Sequence, residues 1–235
     1  MKVYILGYRE WAHELAETVA RRNVDTLWGK DAYNPADADV VFAVGWSEII
    51  RPAYYNRIPT FVLHPSPLPR YRGGSPLQHQ ILGGEKVSAV TIFKLTDEYP
   101  EVDSGPIAWQ MPYSLEGSLA EILQRIATIG ARGVIDVIRG IEDGTLALLE
   151  QRKTWRETLK RRTPAESEIT PAELQRSDGI YLANKVRCLA DPYPNAFIRT
   201  ADGGRLLIRE AAYEPPEDPD ARLARELRAA VGMPE

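Results

Sequence analysis

The chain has 235 residues, 44% of them hydrophobic, with 29 Lys and Arg against 33 Asp and Glu for a formal net charge of -4. That suffices for one sizeable core and a small appendage, and the charge balance argues against bulk binding to nucleic acid. Cys188 is the one cysteine, which excludes an internal disulfide and a multi-cysteine metal site.

"MKVYILG" opens as a buried strand over Lys2 to Leu6 and turns polar too soon for a secretory signal. Nowhere does an apolar run reach the ~18 residues of a membrane helix, so no membrane partner and a cytoplasmic location are expected. Gly7 permits a tight turn, and Glu10 to Arg22 repeats apolar residues at helical spacing through Trp11, Leu15, Val19 and Ala20. "VDTLW" predicts a second strand and "NPADAD" a turn. "VVFAVG" (Val40 to Gly45) and "IPTFVL" (Ile58 to Leu63) predict strands, with His64 at the carboxyl end of the latter. A short helix is expected from Gln78 to Leu82, then strands over Val87 to Leu95 and "PIAWQM". Ser118 to Ile141 predicts a long helix, and Glu121, three residues past Ser118, suits a capping box.

Strands alternating with helices argue for an α/β fold: a Rossmann-like, mostly parallel open sheet with flanking helices. After Gly144 the texture becomes polar and mixed in charge. We place a boundary near residue 160, giving a main domain over 1–160 and a small extension over 161–235. The extension is expected to hold a short helix in "LANKVRCLADPYP", a hairpin around Asp202 to Gly204, a linker in "EPPEDPD" and a helical tail from Ala221 to Val231.

In open α/β sheets ligands sit outside the carboxyl ends of the strands. His64, Gly45 with Trp46, and Gly7 to Trp11 all fall at such ends. A lone histidine there is as a rule structural, tying down the loop that follows. The neighbours of His64 change that reading. Pro65, Pro67 and Pro69 stiffen the loop, and Arg72, Gly73 and Gly74 add a cation and a close-approach turn. Downstream, "LTDEYPEVDSGPI" gathers Asp97, Glu98, Glu101 and Asp103. Most such runs are solvated, but Asp103 lies just before a glycine and a new strand, where a carboxylate can pair with His64 and orient its ring.

"HPSPLPRYRGGSP" followed by "VTIFKLTDEYPEVDSGPI" resembles the catalytic core of the folate-dependent formyltransferases, among which are the methionyl-tRNA enzymes and, closer to this chain, the sugar N-formyltransferases. "VVFAVGWSEII" resembles that family's folate-pocket strand and loop, and "RRTPAESEI" with "NKVRCLADPYPNAF" resembles the segment that follows its catalytic domain in longer members. The resemblance implies that His64 and Asp103 are catalytic and that no metal is needed. It implies 10-formyltetrahydrofolate as donor, held by Val44, Gly45, Trp46, Leu95, Asp97 and Asp103. It implies a primary-amine acceptor met by Tyr8, Arg9, Trp11, Tyr71 and Arg72, Trp11 having the alternative of packing the first helix. We rank a dTDP-, UDP- or GDP-linked 4-amino-4,6-dideoxy sugar first as acceptor, because the chain is acidic and lacks the basic surface of an RNA binder. Methionyl-tRNA is the alternative, and a homodimer is expected. One position departs from the family pattern: its asparagine two residues before the histidine falls on Val62, which offers no donor to an oxyanion. That keeps open a protein that binds folate or a nucleotide sugar with impaired turnover.

Overall fold

β1 (Lys2–Leu6), β3 (Val40–Val44) and β4 (Thr60–His64) are short, β-branched or aromatic and almost wholly buried, as strands covered on both faces must be. The computed structural model describes residues 1–30, 37–152, 158–218, 220, 223, 226 and 227. With β2 (Asp25–Gly29), β5 (Val87–Lys94) and β6 (Ile107–Ser114), these strands make a six-stranded sheet in the order β2-β1-β3-β4-β5-β6. The first four run parallel; β5 is antiparallel to β4, and β6 to β5. The expected Rossmann-like, mostly parallel sheet with flanking helices is therefore present.

Strand alternation divides the apolar residues between two faces. Val3, Ile5, Phe42, Phe61 and Leu63 join the main core with α1 (Glu10–Ala20) and α4 (Leu119–Glu142), while Tyr4, Leu6, Val41 and Ala43 form a smaller cluster against Trp46, Ile50 and Val62. α4 starts where the sequence predicts. Ser118 Oγ accepts from the Glu121 amide and Glu121 Oε2 accepts from the Ser118 amide at 2.7 Å, the reciprocal capping box. That backbone hydrogen bond holds the Glu121 carboxyl below its usual range. Gly130 lets α4 lie close against β4, for a Cβ there would stand 2.6 Å from Leu63 Cδ1 and 2.8 Å from Leu15 Cδ1.

α3 (Pro76–Leu82) begins two residues earlier than expected, at its proline. α2 (Pro52–Tyr55) was not expected: a single turn is too short to show a helical period. After α4 come a 3₁₀ turn (Pro164–Ser167), α5 (Pro171–Arg176), α6 (Gly179–Cys188) and the antiparallel hairpin of β7 (Ala196–Arg199) and β8 (Arg205–Ile208). This part is sewn to the main sheet. Ile169, Val186, Cys188, Leu189 and Ala196 belong to the main core, and Arg187 Nη1 donates to the Leu115 carbonyl at 2.6 Å. Most of the helix expected over 221–231 and half of the turn in "NPADAD" fall outside the described residues. Among the described residues, no helix is long and apolar enough to cross a membrane.

Candidate active site

His64 is the last residue of β4 and is 6% exposed. Alternation places it on the same face as Val62, while Phe61 and Leu63 point into the main core. The loop that follows is rich in proline, so its backbone has few donors and many carbonyls needing partners. Side chains from three elements supply them. Gln80 Nε2 on α3 donates to Pro65 O at 2.9 Å, Thr91 Oγ1 on β5 to Ser66 O at 2.6 Å, and Gln110 Nε2 on β6 to Leu68 O at 3.2 Å. Ser66 Oγ closes the turn by donating to Arg70 O at 2.9 Å. The loop then delivers Tyr71, in the left-handed region at φ 63, with its carbonyl 2.9 Å from His64 Nε2.

Asp103 arrives by a different route. Because β5 is antiparallel to β4, the loop leaving β5 starts at the amino end of β4, where the Leu95 amide donates to Thr60 O at 2.9 Å. It must fold back across the sheet face to reach His64. His64, Gly45 with Trp46, and Gly7 do lie at the carboxyl ends of parallel strands; the antiparallel neighbour β5 was not legible in the apolar pattern. Asp103 itself is left-handed, φ 54. Its Oδ2 accepts from the Gly73 amide at 2.8 Å and faces His64 Nδ1 at 3.5 Å. Gly73 has to be glycine: at φ 100, a Cβ would come within 2.3 Å of Leu159 O.

The proton bookkeeping of the ring follows from its partners. A carbonyl only accepts, so Nε2, facing Tyr71 O, carries the proton of the neutral imidazole, and the lone pair sits on Nδ1. That lone pair faces a carboxylate oxygen.

The other expected site residues divide. Val44 is fully buried, and the sheet register ends where it pairs with Leu63, so the main chain of Gly45 and Trp46 lies beyond the ladder. Trp46 Nε1 is buried with no hydrogen-bond partner among the described residues. Tyr8 stacks edge-on against Trp46 at 5.8 Å, and its hydroxyl pairs with Ser47 Oγ. The Arg9 guanidinium lies 5.0 Å from the Tyr8 ring and 5.4 Å from that of Tyr193. Asp97 accepts from Tyr55 Oη at 3.0 Å and Asn56 Nδ2 at 2.6 Å, which ties its loop to α2.

Three of the residues expected to meet the acceptor have partners within the protein. Trp11 is 8% exposed and belongs to the main core, so it packs the first helix. Tyr71 turns its hydroxyl to Glu85 Oε1 at 2.6 Å, and the residue contributes its carbonyl to His64 instead. Arg72 turns inward to Gln151 Oε1, donating from Nε at 3.0 Å and Nη2 at 2.7 Å. Burial pushes the Arg72 pKa down, while Glu101 and Asp103 pull it up. Gln151, Tyr193 and Leu159 were missed from the sequence. They lie far along the chain from the residues they touch; no motif marks Gln151 or Leu159, and Tyr193 stands inside "NKVRCLADPYPNAF" without any sign of its role there.

Residues 15–138 match the family described as formyl transferase. The methionyl-tRNA formyltransferase of Acidothermus cellulolyticus is 31% identical over 168 residues, 69% of this chain and 49% of that protein. The chain thus spans about half the length of that curated relative. The fold is shared with HypX from Aquifex aeolicus in complex with tetrahydrofolic acid (TM-score 0.77, 19% identity, 92% of this chain and 38% of that one). It is also shared with a 4-N formyltransferase from Francisella tularensis (TM-score 0.70, 13% identity, 91% and 98%).

Proposed function

Because this chain belongs to the formyl transferase family, we propose that it moves a formyl group from 10-formyltetrahydrofolate to a primary amine, the amino group of a nucleotide-linked 4-amino-4,6-dideoxy sugar. The observation that carries the transfer reading is the His64–Asp103 pair, 3.5 Å apart and largely shielded from solvent. When bound, the donor supplies a formyl carbon open to attack by a neutral amine. An attacking amine must shed a proton, and Nδ1 of His64 backed by Oδ2 of Asp103 is the place to hold it. The Tyr71 carbonyl fixes the ring's other nitrogen, and the Gly73 amide keeps the carboxylate turned toward the ring. The same pair returns the proton to the leaving nitrogen.

The residues fit a folate-type donor. Gly45 and Trp46 offer main chain beyond the end of the sheet ladder, and the buried indole N–H of Trp46 lacks an acceptor among the described residues. Main-chain groups there and in the Leu95 to Asp103 loop would hold the flat, polar-edged pterin. That HypX, of like fold, binds tetrahydrofolic acid supports the assignment.

For the acceptor, one arginine between two tyrosine rings suits the base and phosphate of a nucleotide. The net charge of -4 supplies no electrostatic footprint for an RNA. A second reading, methionyl-tRNA as acceptor, is favoured by the curated relative named above. The deciding experiment offers the protein 10-formyltetrahydrofolate with a dTDP-linked 4-amino-4,6-dideoxy sugar, its UDP and GDP counterparts, or methionyl-tRNA, and reads formamide product by mass spectrometry. N-formyl sugar is the expected product. Formylation of methionyl-tRNA alone selects the second reading, and no product with any acceptor sinks both.

A further inference from the structure

The stretch that follows α4 belongs to none of the sequence motifs, yet it enters the site. Leu149 pairs with Ile107 at the start of β6, its amide donating to Ile107 O at 2.8 Å and its carbonyl accepting from the Ile107 amide at 2.7 Å. That pairing brings Gln151 between Arg72 and the Asp103 turn. Gln151 Oε1 accepts from both Arg72 nitrogens; its Nε2 donates to Asp103 O at 2.9 Å and Gly105 O at 2.7 Å. One amide thus uses both lone pairs and both N–H groups. Among side chains near this length glutamine alone makes that set. Glutamate has no donor for the carbonyls, and lysine has no acceptor for the arginine.

The turn it grips needs holding. Asp103 is a non-glycine residue at φ 54, a conformation that persists where the surroundings impose it. Its carboxylate is fixed from one side by the Gly73 amide, and its carbonyl from the other by Gln151. Gly73 and Gln151 are in turn linked through Arg72, the residue that precedes Gly73 and donates to Gln151. We propose that Gln151 is a positioning residue: anchored on Arg72, it locks the Asp103 turn in the one conformation that aims the carboxylate at His64 Nδ1. Its effect on rate rests on the formyl-transfer reading above; its effect on the pair does not.

The test uses Gln151→Glu, which keeps the arginine contact and loses the two donors, and Gln151→Met, which keeps the volume and loses all four bonds. Two readouts are taken. The first is steady-state kinetics on whichever acceptor the wild-type protein formylates. The second is the ring-nitrogen resonances of His64, one of three histidines in the chain, recorded without donor or acceptor and assigned by their loss in His64→Gln. The charged groups whose movement these resonances sense are Asp103 and its neighbours Arg72 and Glu101. We expect both variants to lose on the order of ten- to a hundredfold in kcat with KM values little changed. The His64 resonances should move as they do in Asp103→Asn, at near-wild-type thermal midpoint. Unchanged kcat and unchanged resonances overturn the assignment. So does a loss that tracks thermal stability or KM while the resonances stay put. If the resonances move but the wild-type protein formylates no amine, the positioning role stands and the functional reading falls.

Discussion

On one face of β4, Phe61 and Leu63 are 2% and 3% exposed and sit in the main core with α1 and α4. On the other, Val62 packs against the smaller cluster around Trp46 and Ile50, and His64 meets a carbonyl and a carboxylate. The two faces share one backbone and one register. A slip of one residue would put the imidazole in the apolar core and a leucine in the crevice. The core face supplies stability by removing apolar area from water. The crevice face draws on it, because a buried imidazole and carboxylate need partners that other elements must hold in place. Rigid apolar packing on one side is what lets the other side keep a polar pair at fixed distance.

The largest effects are expected on the crevice face. His64→Ala and Asp103→Ala should each lower turnover by roughly 10²- to 10⁴-fold, the range for losing a general acid–base group. Circular dichroism and thermal midpoint should stay near wild type, since neither side chain packs the core. Near-normal turnover in either variant would remove that residue from the chemistry.

On the core face the reverse is expected. Leu63→Ala should cost about 2–5 kcal/mol of stability, with a cavity between β4, α1 and α4 at the point where Gly130 lets the helix approach. Activity per folded molecule should change little. Denaturant titration alongside active-site titration separates the two.

Val62 sharpens the contrast, because it lies on the crevice face yet is apolar. Its neighbours Trp46, Ile50 and Ala43 are apolar too. We expect Val62→Asn to bring no gain in rate and to lose stability, since an unpaired amide there costs about 1–3 kcal/mol. A rise in turnover on the order of a hundredfold would instead show that valine marks a lost oxyanion donor.

The smallest effect concerns Cys188, fully buried in the core that holds Leu63. Burial pushes its thiol up to about 11 from an ordinary 9.0. Between those values the unfolded thiol ionises first, so this group's contribution to stability falls as pH rises through that window. At pH near 8 a thiol reagent should label the native chain only through opening of the core. Labelling should quicken in Leu63→Ala and stay unchanged in His64→Ala.

What the sequence revealed of this site was its local part. His64, the proline-stiffened loop and Asp103 stand in motifs a few residues long, and α4 announced itself by apolar period and its Ser118 cap. The antiparallel course of β5 did not, because a buried strand reads alike in either direction. Nor did the bracing of the loops. Arg72 meets Gln151 79 positions away, and Gln151 meets Asp103 at a separation of 48. Such contacts are set by how whole elements stack, so no short pattern encodes them. The inward course of Trp11 and Arg72 was hidden for the same reason: the chemistry of a side chain was visible in the sequence, but its direction was not.

The most direct test of the account follows an isotope-labelled formyl group from 10-formyltetrahydrofolate to amine acceptors, in the wild-type protein and in Asp103→Asn. The wild type should give labelled formamide and released tetrahydrofolate in equal amounts, and the variant should lose both while donor binding persists. Transfer at comparable rates by both proteins, or donor bound by the wild type with no label reaching any amine, would contradict the account.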